Sequence, residues 1–95
     1  LVHPGSSGVT LGLLHGSMPD ALILCHQPSR RSPYGGGDAY AWMRLPDVPR
    51  MITLCEAAIA PLRPCPVIGV ALNTWDLDET AARRAAEEIA AQTGL

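Results

Sequence analysis

The residues of this 95-residue chain best suited to chemistry follow two apolar runs: His26 and Gln27 after "ALILC", Asn73 and Thr74 after "VIGVAL". An imidazole titrates close to neutral pH, so His26 could take a proton from a nucleophile. Its structural alternative is a hydrogen bond to a loop carbonyl. The Asn73 amide carries a donor and an acceptor side by side, suited to a purine edge or another amide, and an Asx turn is the bland reading. Ser6, Ser7, Gly8 and Val9 open an apolar segment; as a helix start their amides would suit a carboxylate or a phosphate, against ordinary capping by the serines. Arg30 and Arg31 could clamp an anion if their loop is a binding loop, and are otherwise solvated charges. His15 reads as a cap or core histidine. No two of the three histidines have zinc-ligand spacing, so no metal site is expected.

Elements must hold these groups. Ser6 or Ser7 can cap a helix over about Gly8 to His15, almost wholly apolar and stopped by Gly16 and the Pro19–Asp20 pair. Ala21 to Cys25 is a continuous apolar run of strand length, which predicts a strand covered on both faces in a parallel sheet. From Gln27 to about Asp47 the chain is irregular, and so long a connection is either a lid or binding loop or a passive surface insertion. Gly35, Gly36 and Gly37 predict mobility there, while Tyr34, Tyr40 and Trp42 predict that part of it packs. Trp42 and Trp75 read as packing or interface residues.

Asp47 caps a second helix with Pro49 in its first turn, and Ile52, Cys55, Ala58 and Ile59 give it one apolar face until about Pro61. Val67 to Leu72 is the second strand. Asp76 with Glu79 reads as a capping box, opening an Ala-rich helix closed by Gly94, with Arg83 and Glu87 as a surface pair. Strand, helix, strand predicts a right-handed unit with parallel strands. Ligands gather outside the carboxyl ends of such strands, where His26, Gln27, Asn73 and Thr74 stand.

The composition excludes several classes. The hydrophobic fraction of 47% and net charge of −2 are ordinary for a soluble globular domain. The seven positive residues are all Arg and scattered, so no nucleic-acid partner is expected. No apolar run reaches the roughly 20 residues of a membrane span, and "LVHPGSSG" has no basic n-region. Cys25, Cys55 and Cys65 lack CxxC spacing and read as buried reduced thiols of a cytoplasmic protein, ahead of a catalytic thiol.

Two strands do not make a stable sheet, and both runs would leave edges unpaired. With no initiator Met at Leu1, the expectation is the latter part of a larger three-layer α/β domain whose other strands came earlier.

"HPGSSGVTLGLLHGSMPDALILCHQP" at 3–28, then "VIGVALNTWDLDE" at 67–79 and a helix ending "QTGL", resembles the C-terminal domain of the DgcN-like family, over essentially the whole chain. The resemblance implies a P-loop-NTPase-like α/β domain akin to dethiobiotin synthetase, with a three-layer parallel sheet, behind a smaller Rossmann-like domain. It places the phosphate loop and a Glu-Gly-Gln-Gly-Ser segment upstream, with His3 close to that segment. The chain holds no GxxxxGK[ST] and no lysine, so the ammonium of a phosphate loop cannot come from it.

Family members include a D-glutamate N-acetyltransferase. The resemblance therefore implies acetyl transfer from acetyl-CoA, as co-substrate, to the amino group of a D-amino acid. His26 would be the base, His3, Ser6, Ser7 and Arg30 would meet the substrate, and Asn73 and Thr74 would meet the adenine of CoA or a nucleotide. The competing readings are an ATP- and Mg-dependent ligase or synthase of the dethiobiotin synthetase type, and a non-catalytic remnant. A small-molecule substrate is the expected partner, with a homo-oligomer open.

Overall fold

The computed structural model describes residues 1–33 and 39–95. The elements run α1 (Ser7–Ser17), β1 (Leu22–His26), α2 (Val48–Ile59), β2 (Val67–Leu72) and α3 (Glu79–Thr93). The two strands pair in parallel, Leu24 opposite Val70 and His26 opposite Leu72, with a register irregularity between Leu22 and Ile23. The α/β reading and the element order therefore hold. β1 sits one residue later than the apolar run suggested, which puts His26 inside the strand rather than after it.

Local signals explain most element ends. The Asp47 carboxylate accepts from the Arg50 amide at 2.9 Å, with Pro49 in the first turn of α2. Gly94, at φ +74°, closes α3. Three expectations are corrected. The cap of α3 is Asp78, accepting from the Ala81 amide at 2.7 Å, because Asp76 is engaged by the Ser29 hydroxyl instead. Arg83 pairs with Glu79 at 2.9 Å rather than with Glu87, which places the acid at the positive end of the helix dipole. Helix α1 runs through Gly16 to Ser17, and Met18 takes the left-handed turn at φ 45° with its amide on the Leu14 carbonyl at 3.2 Å.

At the other end of α1, Ser6 occupies the cap position without a side-chain cap bond. The backbone does the work there. The amides of Ser6 and Ser7 donate to the His3 carbonyl at 3.1 and 2.9 Å, and those of Val9 and Thr10 to the Ser6 carbonyl at 3.1 and 3.3 Å. Three of the four amides offered as an anion site thus have partners within the turn.

Helix α2 is the hub: it packs on β2 and touches both α1 and α3. The core is small, with Val48, Ile59, Cys65 and Val67 buried and Ile59 wholly inaccessible. Polar bonds reinforce it. His15 Nε2 lies 2.7 Å from the Ala58 carbonyl, tying α1 to α2 as a core histidine. The Glu56 carboxylate accepts from the Val67 amide at 3.0 Å and anchors the start of β2. Arg63 bonds the Met18 carbonyl at 3.1 Å and Asp20 at 2.6 Å, holding the end of α1.

The molecule measures 40 × 34 × 18 Å. The short dimension has room for one helix layer on the sheet, since stacked layers stand roughly 10 Å apart. The expectation that both strands are covered on both faces is not met by these residues, because Ile23 and Ile68 are 56% and 59% exposed. Cys25 is exposed as well, against the expectation of three buried thiols; Cys55 is half-buried and Cys65 buried. Trp42 and Trp75 are exposed, so neither packs into this core.

Candidate functional site

The loop after β1 folds back onto the start of the chain. The Arg30 amide donates to the Gln27 carbonyl at 3.0 Å, and the Leu45 amide to the Arg31 carbonyl at 2.9 Å, closing the loop at its base. Tyr40 meets the His3 ring edge-on, centroids 4.7 Å apart. Tyr40 therefore packs as expected, while Tyr34 and Gly35, Gly36 and Gly37 lie outside the described residues.

Between this loop, β1 and the N-terminal segment lies a cavity of about 280 Å³ whose lining includes His3, His26, Gln27, Arg30 and Cys25. Four of the residues singled out from the sequence, His3, His26, Gln27 and Arg30, thus converge. Ser6, Ser7, Asn73 and Thr74 are not part of its wall.

His26 is held by the sheet, its carbonyl accepting from the Asn73 amide at 2.8 Å. Partial burial, then the charge of Arg31, push its pKa below the ordinary imidazole value. A neutral imidazole at neutral pH has a lone pair available, the state a general base requires. His3 is held differently: its Nδ1 accepts from the Gly5 amide at 3.0 Å, so the neutral ring carries its proton on Nε2. Gly5 is tightly placed, since a Cβ there would stand 2.9 Å from the Tyr40 hydroxyl and 3.2 Å from His3 Cε1.

Asn73 follows its bland reading in part. Its Oδ1 accepts from the Trp75 amide at 3.3 Å, an Asx turn after β2. Thr74 contributes its carbonyl to the Leu77 amide at 2.9 Å.

One feature of the strand ends escaped the sequence reading. The Asp76 carboxylate accepts from the Ser29 hydroxyl, Gln27 Nε2 lies 3.4 Å from Ser29 Oγ, and Arg30 donates to Gln27 Oε1 at 2.7 Å. This chain joins the loop after β2 to the loop after β1 and steadies Arg30 at the cavity wall. The Ser29 hydrogen bond, foremost, holds the Asp76 carboxyl below its usual range. The adjacency of two parallel strands was the available signal, because it places their following loops side by side. Among the described residues no three metal-ligating side chains converge, and no helix is long and apolar enough to cross a membrane.

The comparisons with known proteins agree with this architecture. The family model described as a domain of unknown function, the C-terminal P-loop domain of DUF1611, matches residues 1–95. A protein of Tritonibacter scottomollicae named D-glutamate N-acetyltransferase is 38% identical over 100 residues, covering 100% of this chain and 28% of that protein. A Pseudoalteromonas protein of the same name is 40% identical over 75 residues, 78% of this chain and 21% of that protein. The chain spans about a quarter of the length of these relatives. The crystal structure of a DUF1611 family protein from Anabaena variabilis superposes with a TM-score of 0.87 at 38% identity, over 100% of this chain and 27% of that one. With both strands, all three helices and the whole length matched, this chain belongs to the DUF1611 family as part of its C-terminal P-loop domain.

Proposed function

We propose that the chain is part of an N-acyltransferase that moves an acetyl group from acetyl-CoA to the amino group of a D-amino acid such as D-glutamate. The observation that carries this reading is the convergence of His26, held neutral, with His3 and Arg30 around one cavity at the carboxyl end of β1. The names of the two relatives support the reaction class.

The cavity, at about 280 Å³, stands at the small end of ligand pockets and suits an amino acid rather than a whole coenzyme. His26 takes a proton from the substrate ammonium and frees its lone pair. The amine nitrogen then bonds to the thioester carbonyl carbon, the C–S bond breaks, and the second nitrogen proton ends on the departing thiol. Arg30 pairs with a substrate carboxylate, and His3 offers its Nε2 proton to a second oxygen. Ser6 and Ser7 stay outside the cavity and serve the substrate through the turn that carries His3. Asn73 keeps its amide donor for the adenine of the acyl donor, beside Thr74, while its oxygen is engaged in the turn.

The activity belongs to the full-length protein, working on small molecules in the cytoplasm without nucleic acid or membrane. The test is to supply full-length protein with D-glutamate and either acetyl-CoA or Mg-ATP. Free thiol without ADP is expected. ADP without thiol would replace transfer by an ATP-dependent ligase.

A further inference from the structure

A second cavity, of about 340 Å³, adjoins the first behind His26 and Arg30 and opens between the ends of the β1–α2 loop, the start of α2 and the last turns of α3. Arg30, Arg31 and Arg44 are among its lining residues, the first two from one end of the loop and the third from the other. They are brought together by the Leu45 amide bond to the Arg31 carbonyl at 2.9 Å, which sets Arg44 beside Arg31. Arg31 is braced by the Pro28 carbonyl at 3.0 Å and Arg30 by Gln27 at 2.7 Å. Arg44 has no hydrogen-bond or ion-pair partner among the described residues. The acidic groups in the wall are Asp47 and Glu88. Asp47 is committed to capping α2 through the Arg50 amide, and Glu88 forms no ion pair among the described residues.

Among the lining residues three arginines stand against two acids, one of them committed to a helix cap, so the cavity wall carries an excess of positive charge that suits an anion. We propose that this second cavity is an oxyanion subsite, taking a carboxylate or phosphoryl group on Arg31 and Arg44. Planar guanidinium forks are suited to both groups through paired N–H···O bonds. The subsite goes beyond the acyl-transfer reading, because it needs only an anionic ligand arm reaching past His26. That arm would be the side-chain carboxylate of a dicarboxylic substrate or a phosphate of the acyl donor.

The experiment is calorimetric titration of full-length protein with glutarate and with inorganic pyrophosphate, comparing wild type with Arg31→Ala/Arg44→Ala and with Arg44→Lys. Loss of both arginines is expected to weaken at least one probe by about tenfold or more, since charge-assisted bonds are being removed. Arg44→Lys keeps the charge but loses the paired fork, so its affinity is expected to fall between wild type and the double variant, and far-UV circular dichroism keeps the variants comparable. The readout is one site lost per protomer, so phosphate binding elsewhere in the protein does not mask the result. Glutarate as the affected probe assigns the site to a carboxylate, and pyrophosphate assigns it to a phosphate. Wild-type protein that binds neither probe, or a double variant that binds both as wild type does, overturns the proposal. Should D-glutamate prove not to be acetylated while the arginine effect persists, the acyl-transfer reading falls and the subsite stands.

Discussion

At the scale of single residues, the base role proposed for His26 rests on where the strand leaves it. Burial at the end of β1 and the neighbouring charge of Arg31 both disfavour the imidazolium. Replacing His26 by Gln is expected to lower kcat of the full-length enzyme by about 10²–10⁴, the usual worth of a general base, with little change in its circular dichroism. The same lowering gives stability a pH dependence. Between the depressed folded pKa and the ordinary value of 6.5, the unfolded chain binds more protons, so unfolding free energy rises with pH across that window and is lost as pH falls through it. Urea titrations at about pH 5 and about pH 7.5 should show that loss in wild type and a smaller one in His26→Gln. Gly5 makes a different point. A methyl there meets the tip of the Tyr40 side chain, which must move aside, so Gly5→Ala should cost less than about 1 kcal/mol, and adding Tyr40→Phe should restore much of it, read from the denaturation midpoint.

Helix ends carry the predictions that belong to elements. Met18 holds a left-handed conformation that its side chain disfavours by about 1–2 kcal/mol. Met18 is 45% exposed, so the contacts its side chain loses on trimming offset part of that gain, and Met18→Gly should raise stability by less than about 1 kcal/mol in a thermal melt. Asp78→Ala should lower stability by about 1 kcal/mol, through loss of the bond to the Ala81 amide. Asp76→Ala should leave helix α3 intact and instead loosen Arg30, raising KM for the amino acid more than it lowers kcat. That split separates the acid that starts the helix from the acid that ties the loops.

For the molecule as a whole, the decisive quantity is uncovered apolar surface. Leu13, Val9, Ile23 and Ile68 are 68%, 66%, 56% and 59% exposed, and among the described residues only four apolar ones are buried. Patches of this kind mark surfaces that other protein normally covers. The 95 residues alone are therefore expected to bind a hydrophobic dye and to self-associate in sedimentation, and Leu13→Lys/Ile23→Lys should reduce both.

Much of this architecture was readable along the chain because the forces behind it act over a few residues. Two unbroken apolar runs gave strands, Asp47 with Pro49 began α2, and Gly94 ended α3, each within a turn of the signal. Contacts between distant segments were not readable in this way. His15 finds its carbonyl 43 residues away and Ser29 its carboxylate 47 residues away. Which aspartate caps α3, and which of the eight candidate residues share one cavity, followed from those meetings. A hydrogen bond between remote groups forms only where packing has already brought their backbones together, and no local pattern of side chains encodes that distance.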